Sequence, residues 1–210
     1  MIVLADNDIL LKFARCDLFD KFMSAFSLVA EDIRILKTAR FSVSSKKHRS
    51  RIGEPSYSRL TAFLERVADI DIEPDPTTIA ALSEQTDKNI DAGEAALFAI
   101  CPRMPNAIIA TGDKKSLVGL VTAGQVDATC AKLCGALEDR ILCFEHALER
   151  ILNHFGFESI RQKLIEGREC DRGLALWLGS GLQATEESFR EGLQSYLDEL
   201  RRSAGALLMK

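Results

Sequence analysis

Ile2-Val3-Leu4-Ala5-Asp6-Asn7-Asp8-Ile9-Leu10 decides how the rest of the chain is read. Four apolar residues, rich in β-branching, make a short buried strand that ends at an acid. Asp8 is then placed to cap a helix carrying Ile9, Leu10, Phe13 and Ala14 on one side. The same shape returns at Ala107–Ala110, another apolar strand, followed by Thr111-Gly112-Asp113 and a helix from Lys114 to Val121. Between and beyond these two units the spacing predicts strands at Ser27–Ala30, Ile70–Ile72 and Ile141–Phe144. The helical face that starts at Ile9 continues through Leu18, Phe19, Phe22 and Met23. Further helices are expected around Tyr57–Val67, after Asp75-Pro76, after Asp91 and over Asp127–Leu137. Short strands alternating with helices predict an α/β fold, three layers deep, on a mainly parallel sheet.

After residue 145 the pattern is almost wholly helical. Its clearest helix starts at Thr185, with Glu186 and Glu187 in the first turn and Arg201 and Arg202 in the last, as the helix dipole favours. Phe189, Leu193, Tyr196, Leu197 and Leu200 form its apolar stripe. Leu174, Leu176, Trp177 and Leu178 supply apolar material nearby. The organisation expected is an α/β body over 1–145 with a helical C-terminal extension over 146–210 packed on it.

A net charge of −4 means that any anionic partner must be held by a local patch. The apolar start lacks a basic segment and meets an acid at Asp6, and no apolar run approaches the roughly 18 residues of a membrane span. The expectation is a cytoplasmic chain with no membrane partner. Six scattered cysteines fit a reducing setting and read as free thiols. Cys130 and Cys134 share a helix face but lack the further ligands that zinc needs.

Asp6 and Asp113 both follow a buried strand directly, at the end where parallel α/β sheets bind ligands. Glu94 opens the helix before the Asp113 strand. Taken singly, each acid also reads as a helix cap, and Asp91 with Glu94 has the spacing of a capping box. Converging on one crevice, the three carboxylates would repel each other unless a cation joined them, and Mg²⁺ or Mn²⁺ suits such oxygen ligands.

The wording around these acids resembles the PIN-domain family. Val3-Leu4-Ala5-Asp6-Asn7-Asp8-Ile9-Leu10 is similar to the family's opening strand and acid. Asp91-Ala92-Gly93-Glu94-Ala95 is similar to its D-x-G-E-A helix, and Ile108-Ile109-Ala110-Thr111-Gly112-Asp113 to its strand ending in T-x-D. The resemblance covers about residues 1–145. It implies a Mg²⁺- or Mn²⁺-dependent endoribonuclease, in its narrower form the toxin of a toxin–antitoxin pair, with in-line attack of water on an RNA phosphodiester. Asp6, Glu94 and Asp113 would be catalytic and metal-binding, with Asp91 as a helper ligand. An antitoxin-like protein inhibitor and a homo-oligomer are the protein partners that such a chain could have. The family often adds a glutamate after its second strand. Here that region reads Glu31-Asp32-Ile33-Arg34-Ile35-Leu36-Lys37, with leucine near the aligned place. The alternative reading is therefore a weak or inactive PIN-like module that binds RNA or a protein. Asp6-Asn7-Asp8 also has the D-x-D form of haloacid-dehalogenase-like phosphatases, but Ile9-Leu10 stands where glycine-threonine is usual.

From Ile33 to Gly53 there is no acid. Lys46, Lys47, Arg49 and Arg51 are the candidate RNA phosphate contacts in that stretch, with a solvated loop as the competing reading.

Overall fold

The computed structural model describes residues 1–210 apart from 44, 46–48, 51 and 86–88. Five strands form one wholly parallel sheet: β1 (Ile2–Ala5), β2 (Ile33–Ile35), β3 (Ala68–Asp69), β4 (Ala107–Thr111) and β5 (Ile141–Cys143). Their order is β3-β2-β1-β4-β5. The chain therefore works outward from β1 to β3 on one side, then returns to place β4 on the other. In register, Val3 faces Ile33 and Ala5 faces Ala110. The switch in direction opens a crevice beyond the carboxyl ends of β1 and β4, where the loops part.

The described helices are α1 (Asn7–Cys16), α2 (Phe19–Ala25), α3 (Lys37–Val43), α4 (Glu54–Leu64), α5 (Pro76–Gln85), α6 (Ala92–Ile100), α7 (Lys114–Val126), α8 (Ala128–Ala136), α9 (Phe144–Phe155), α10 (Arg161–Gly167), α11 (Arg172–Trp177) and α12 (Glu186–Ala204). Helix α1 packs with α4 and α10, and α2 with α9. Helices α5, α6, α7 and α8 pack among themselves. The architecture is α/β/α in three layers, as the alternation predicted. No described helix is long and apolar enough to cross a membrane.

The expected strand at Ser27–Ala30 is a turn instead. Ser27 takes a left-handed φ of 53°, Val29 is exposed, and Asp32 accepts a hydrogen bond from the Val29 amide at 2.9 Å. The sheet instead takes Ile33 and Ile35, both buried. Pairing of β3 begins two residues before the expected Ile70–Ile72, although Ile70 still donates to the Ile35 carbonyl at 2.8 Å. Phe144 leaves the predicted last strand and starts α9. The face expected to run on from Ile9 is broken at Asp17, whose φ of 50° ends α1 and lets Leu18 turn into the core.

Beyond residue 145 the chain is helical and rests on the sheet layers. Arg150 donates to the Ala25 carbonyl, Lys163 pairs with Asp17, and Phe189, Leu193, Leu197 and Leu200 of α12 are buried. Trp177 stands edge-on to Phe189 and Tyr196, at 5.7 and 5.0 Å between ring centres. A side chain at Gly192 would collide with the indole, so glycine there lets the ring lie flush against α12. Leu176 departs from expectation: it is exposed and needs no cover. After α12 the tail returns to β5, where Met209 donates to the Ile141 carbonyl and Leu208 makes a parallel bridge with Ile141.

Candidate functional site

Asp6 leaves β1 at the crevice. Its amide still belongs to the sheet, donating to the Ala110 carbonyl at 2.9 Å, while its carboxylate is buried. Thr111, at the end of β4, donates its hydroxyl to Asp6 Oδ2 at 3.1 Å, and the same hydroxyl accepts from the Asp113 amide at 3.1 Å. One threonine thus couples the loops after the two central strands. Asp6 stands at the N-cap of α1 without a side-chain cap bond, and Asp8 lies inside the first turn rather than capping it.

Glu94 is also buried. It and Asp91 form the capping box expected from sequence: the Asp91 amide donates to Glu94 Oε2 at 2.9 Å, and the Glu94 amide to Asp91 Oδ1 at 2.8 Å. Burial, followed by the charges of Asp8 and Asp91, pushes Asp6 up to about 6, against the pull of the Thr111 hydroxyl. Glu94 is pushed up to about 8. Burial is the main cause and the charges of Asp6 and Asp91 add to it, while the Asp91 amide opposes them. Glu94 therefore feels the charge of Asp6, and no ion pair to either exists among the described residues.

Asp113 behaves differently. It is half-buried and caps α7, accepting from the Lys115 amide at 2.7 Å. It is not among the charges that raise Asp6 or Glu94. Among the described residues, no group of three or more His, Cys, Asp or Glu side chains could hold a metal ion. The arrangement brings Asp6, Glu94 and Asp91 into electrostatic contact and leaves Asp113 bound to its own helix.

A cavity of about 360 Å³ opens beside Asp6 and Asp91. From β2 and α3 it receives Leu36, Thr38, Ala39 and Ser42. No acid from that segment lines it among the described residues: Glu31 is exposed, and Asp32 bonds the Val29 amide. Asn7 lines the cavity too, and its buried Oδ1 finds no hydrogen-bond partner.

Two residues that sequence reading passed over stand at the same end of the sheet. Lys12, buried on α1, reaches Asp8 Oδ2 at 3.1 Å, Asp171 Oδ2 at 2.9 Å and the Gly112 carbonyl at 2.7 Å. Those three acceptors match the three protons of an ammonium. Burial alone would lower the Lys12 pKa, but Asp8 and Asp171 hold it above the usual lysine range. Burial likewise works to raise Asp171, and Lys12 holds it below the usual carboxylate range. Asp171 also caps α11 through the Gly173 amide at 2.8 Å. The i, i+4 spacing of Asp8 and Lys12 was a visible signal. Asp171, far along the chain, had none.

Of the candidate RNA contacts, Lys46, Lys47 and Arg51 lie outside the described residues. Arg49 is described, and its guanidinium makes two 2.8 Å bonds to Glu54 and lies over the Tyr57 ring. The cysteines are free thiols, and four of the six are buried. No family model, curated protein or solved structure matches this chain.

Proposed function

We propose that the chain is a PIN-type, Mg²⁺- or Mn²⁺-dependent endoribonuclease, with Asp6 and Glu94 as the principal carboxylates, Asp91 behind Glu94, and Asp113 at the rim. Two buried acids, both raised toward the protonated state by burial and Glu94 further by the charge of Asp6, stand at the switch point of a parallel sheet and carry this reading. The donor set suits a hard divalent ion. Two carboxylates and the unpartnered Asn7 Oδ1 are all oxygen, and Mg²⁺ commonly takes one or two carboxylates and fills the rest of its shell with water. Bound there, the ion would supply the positive charge that readies a water and stabilises charge developing on phosphorus.

The chain's own residues supply the rest. Thr111 fixes Asp6 Oδ2 in place. Glu94, pushed up to about 8 mainly by burial, would give up its proton to make room for a cation. Thr38 and Ser42 offer hydroxyls along the cavity to a phosphate or ribose. The toxin of a toxin–antitoxin pair, acting on RNA in the cytoplasm and restrained by a protein inhibitor, is the narrower form of this proposal.

A second reading, a PIN-like module that binds without cutting, is favoured by the engagement of Asp91, Glu94 and Asp113 as helix caps. Calorimetric titration with Mn²⁺ separates the two. The nuclease reading expects binding with proton release in the wild type and loss of both in Asp6→Asn. Equal affinity in the two proteins would overturn the metal assignment. Cleavage of single-stranded RNA that requires Mn²⁺ and fails in Asp6→Asn would establish the reaction.

A further inference from the structure

The single turn over 168–170 carries Cys170 against the end of α1, where its sulfur lies 3.8 Å from that of Cys16. The approach depends on Gly167. A side chain there would sit 2.5 Å from Cys16 Sγ and 2.8 Å from Cys16 Cα, so only glycine lets the two backbones come this close. A disulfide needs the sulfurs at about 2.05 Å, a closure of roughly 1.8 Å from their present contact.

The two thiols differ in access. Cys16 is fully buried, whereas Cys170 is partly exposed and lines a narrow cleft with Asp8, Lys12 and Arg15. We propose that Cys16 and Cys170 form a reversible redox pair, whose disulfide staples the C-terminal helical segment to the helix that bears Asp8 and Lys12. The inference is independent of whether the acids hold metal.

The oxidant is a small-molecule disulfide. Cys170, as thiolate, attacks one of its sulfurs through the cleft, forming a mixed disulfide and releasing one thiolate. Cys16 then gives up its proton and attacks the Cys170 sulfur, releasing the second thiolate. Two protein thiols become one disulfide, and one small disulfide becomes two thiols. The order follows from access, since Cys16 is fully buried and Cys170 is partly exposed; the hydrogen bond to Cys170, then burial, also push the Cys16 thiol up. Arg15 beside Cys16 favours the thiolate needed for the second step.

The consequence reaches the site through one peptide bond. Asp171 follows Cys170 and holds Lys12, so the cross-link fixes the acid that keeps Lys12 on Asp8 and on the Gly112 carbonyl.

The test uses the full chain, folded, with excess oxidised glutathione. Peptide mapping should recover a Cys16–Cys170 linked peptide, and the free-thiol count should fall from six to four. The melting temperature should rise by about 5–10 °C, since the bond closes a very long loop, and dithiothreitol should reverse the rise. Cys170→Ser, a change at a partly exposed position, should abolish both the link and the rise. A glutathione adduct that stays on Cys170, a link to any other cysteine, or six surviving thiols would each overturn the proposal.

Discussion

Two clusters of acids lie at the same end of the sheet, and only one contains a cation from the chain. Around Lys12, Asp8 and Asp171 share an ammonium whose third proton goes to the Gly112 carbonyl. Asp171 is consequently held ionised in spite of its burial. Around Asp6, Glu94 and Asp91, no cation of the chain pairs with the acids among the described residues, and Asp6 and Glu94 are driven toward protonation. Burial is common to both clusters, so the difference comes from the lysine. A chain able to place Lys12 one turn away leaves the second group of acids to a charge from outside.

Removing the built-in cation should have the largest effect. Lys12→Met strands a buried Asp171, and should cost about 3–5 kcal/mol in urea unfolding at pH 7. A loss below about 1 kcal/mol, the level of a surface ion pair, would show that the two clusters do not differ in this way.

The pH dependence of the metal-free protein tests the other cluster. Glu94 binds its proton more tightly folded than unfolded, so its stabilisation is complete below the unfolded value near 4.5 and is lost as pH rises to about 8. Asp6 adds a similar loss up to about pH 6. Allowing for solvent access, the Glu94 part should be about 1–3 kcal/mol, read as a fall in unfolding free energy between pH 5 and pH 8. Glu94→Gln should flatten that slope, and saturating Mn²⁺ should reverse it. A slope equally steep in Glu94→Gln would place the titration elsewhere.

The smallest effect sharpens the boundary between cap and ligand. Asp113→Ala should cost about 1 kcal/mol, the worth of its bond to the Lys115 amide, and should leave the pH slope as it was. If Asp113→Ala removed Mn²⁺ binding as fully as Asp6→Asn, Asp113 would belong with the buried pair.

The strands at Ile2–Ala5 and Ala107–Thr111 were legible because a parallel sheet covered on both faces demands continuous apolar runs, and these runs end at acids. The capping box of Asp91 and Glu94 was legible because it is written in residues three apart. Ser27–Ala30 misled for a local reason. An apolar run does not reveal that Ser27 adopts a left-handed turn or that Asp32 ties down the Val29 amide. The Lys12–Asp171 pair was illegible from one end, since its partners meet only after α10 and the turn at 168–170 have folded back on α1. Leu36 at the second strand's exit was visible in sequence, and the cavity shows what it does there: it supplies an aliphatic wall in the cavity beside Asp6.

The tail that returns beside β5 has a bearing on self-association. A parallel sheet has two open edges, and an edge with free amides and carbonyls recruits strands from other molecules. Here Asp139 and Arg140 donate to the Ala206 and Leu207 carbonyls, and Ile141 accepts from Met209, so the β5 margin is occupied by the chain's own backbone. The guard depends on α12 staying docked, because residues 205–209 are held in place by that helix. Partial unfolding from this end would therefore uncover a β-pairing template while the rest of the sheet was still intact.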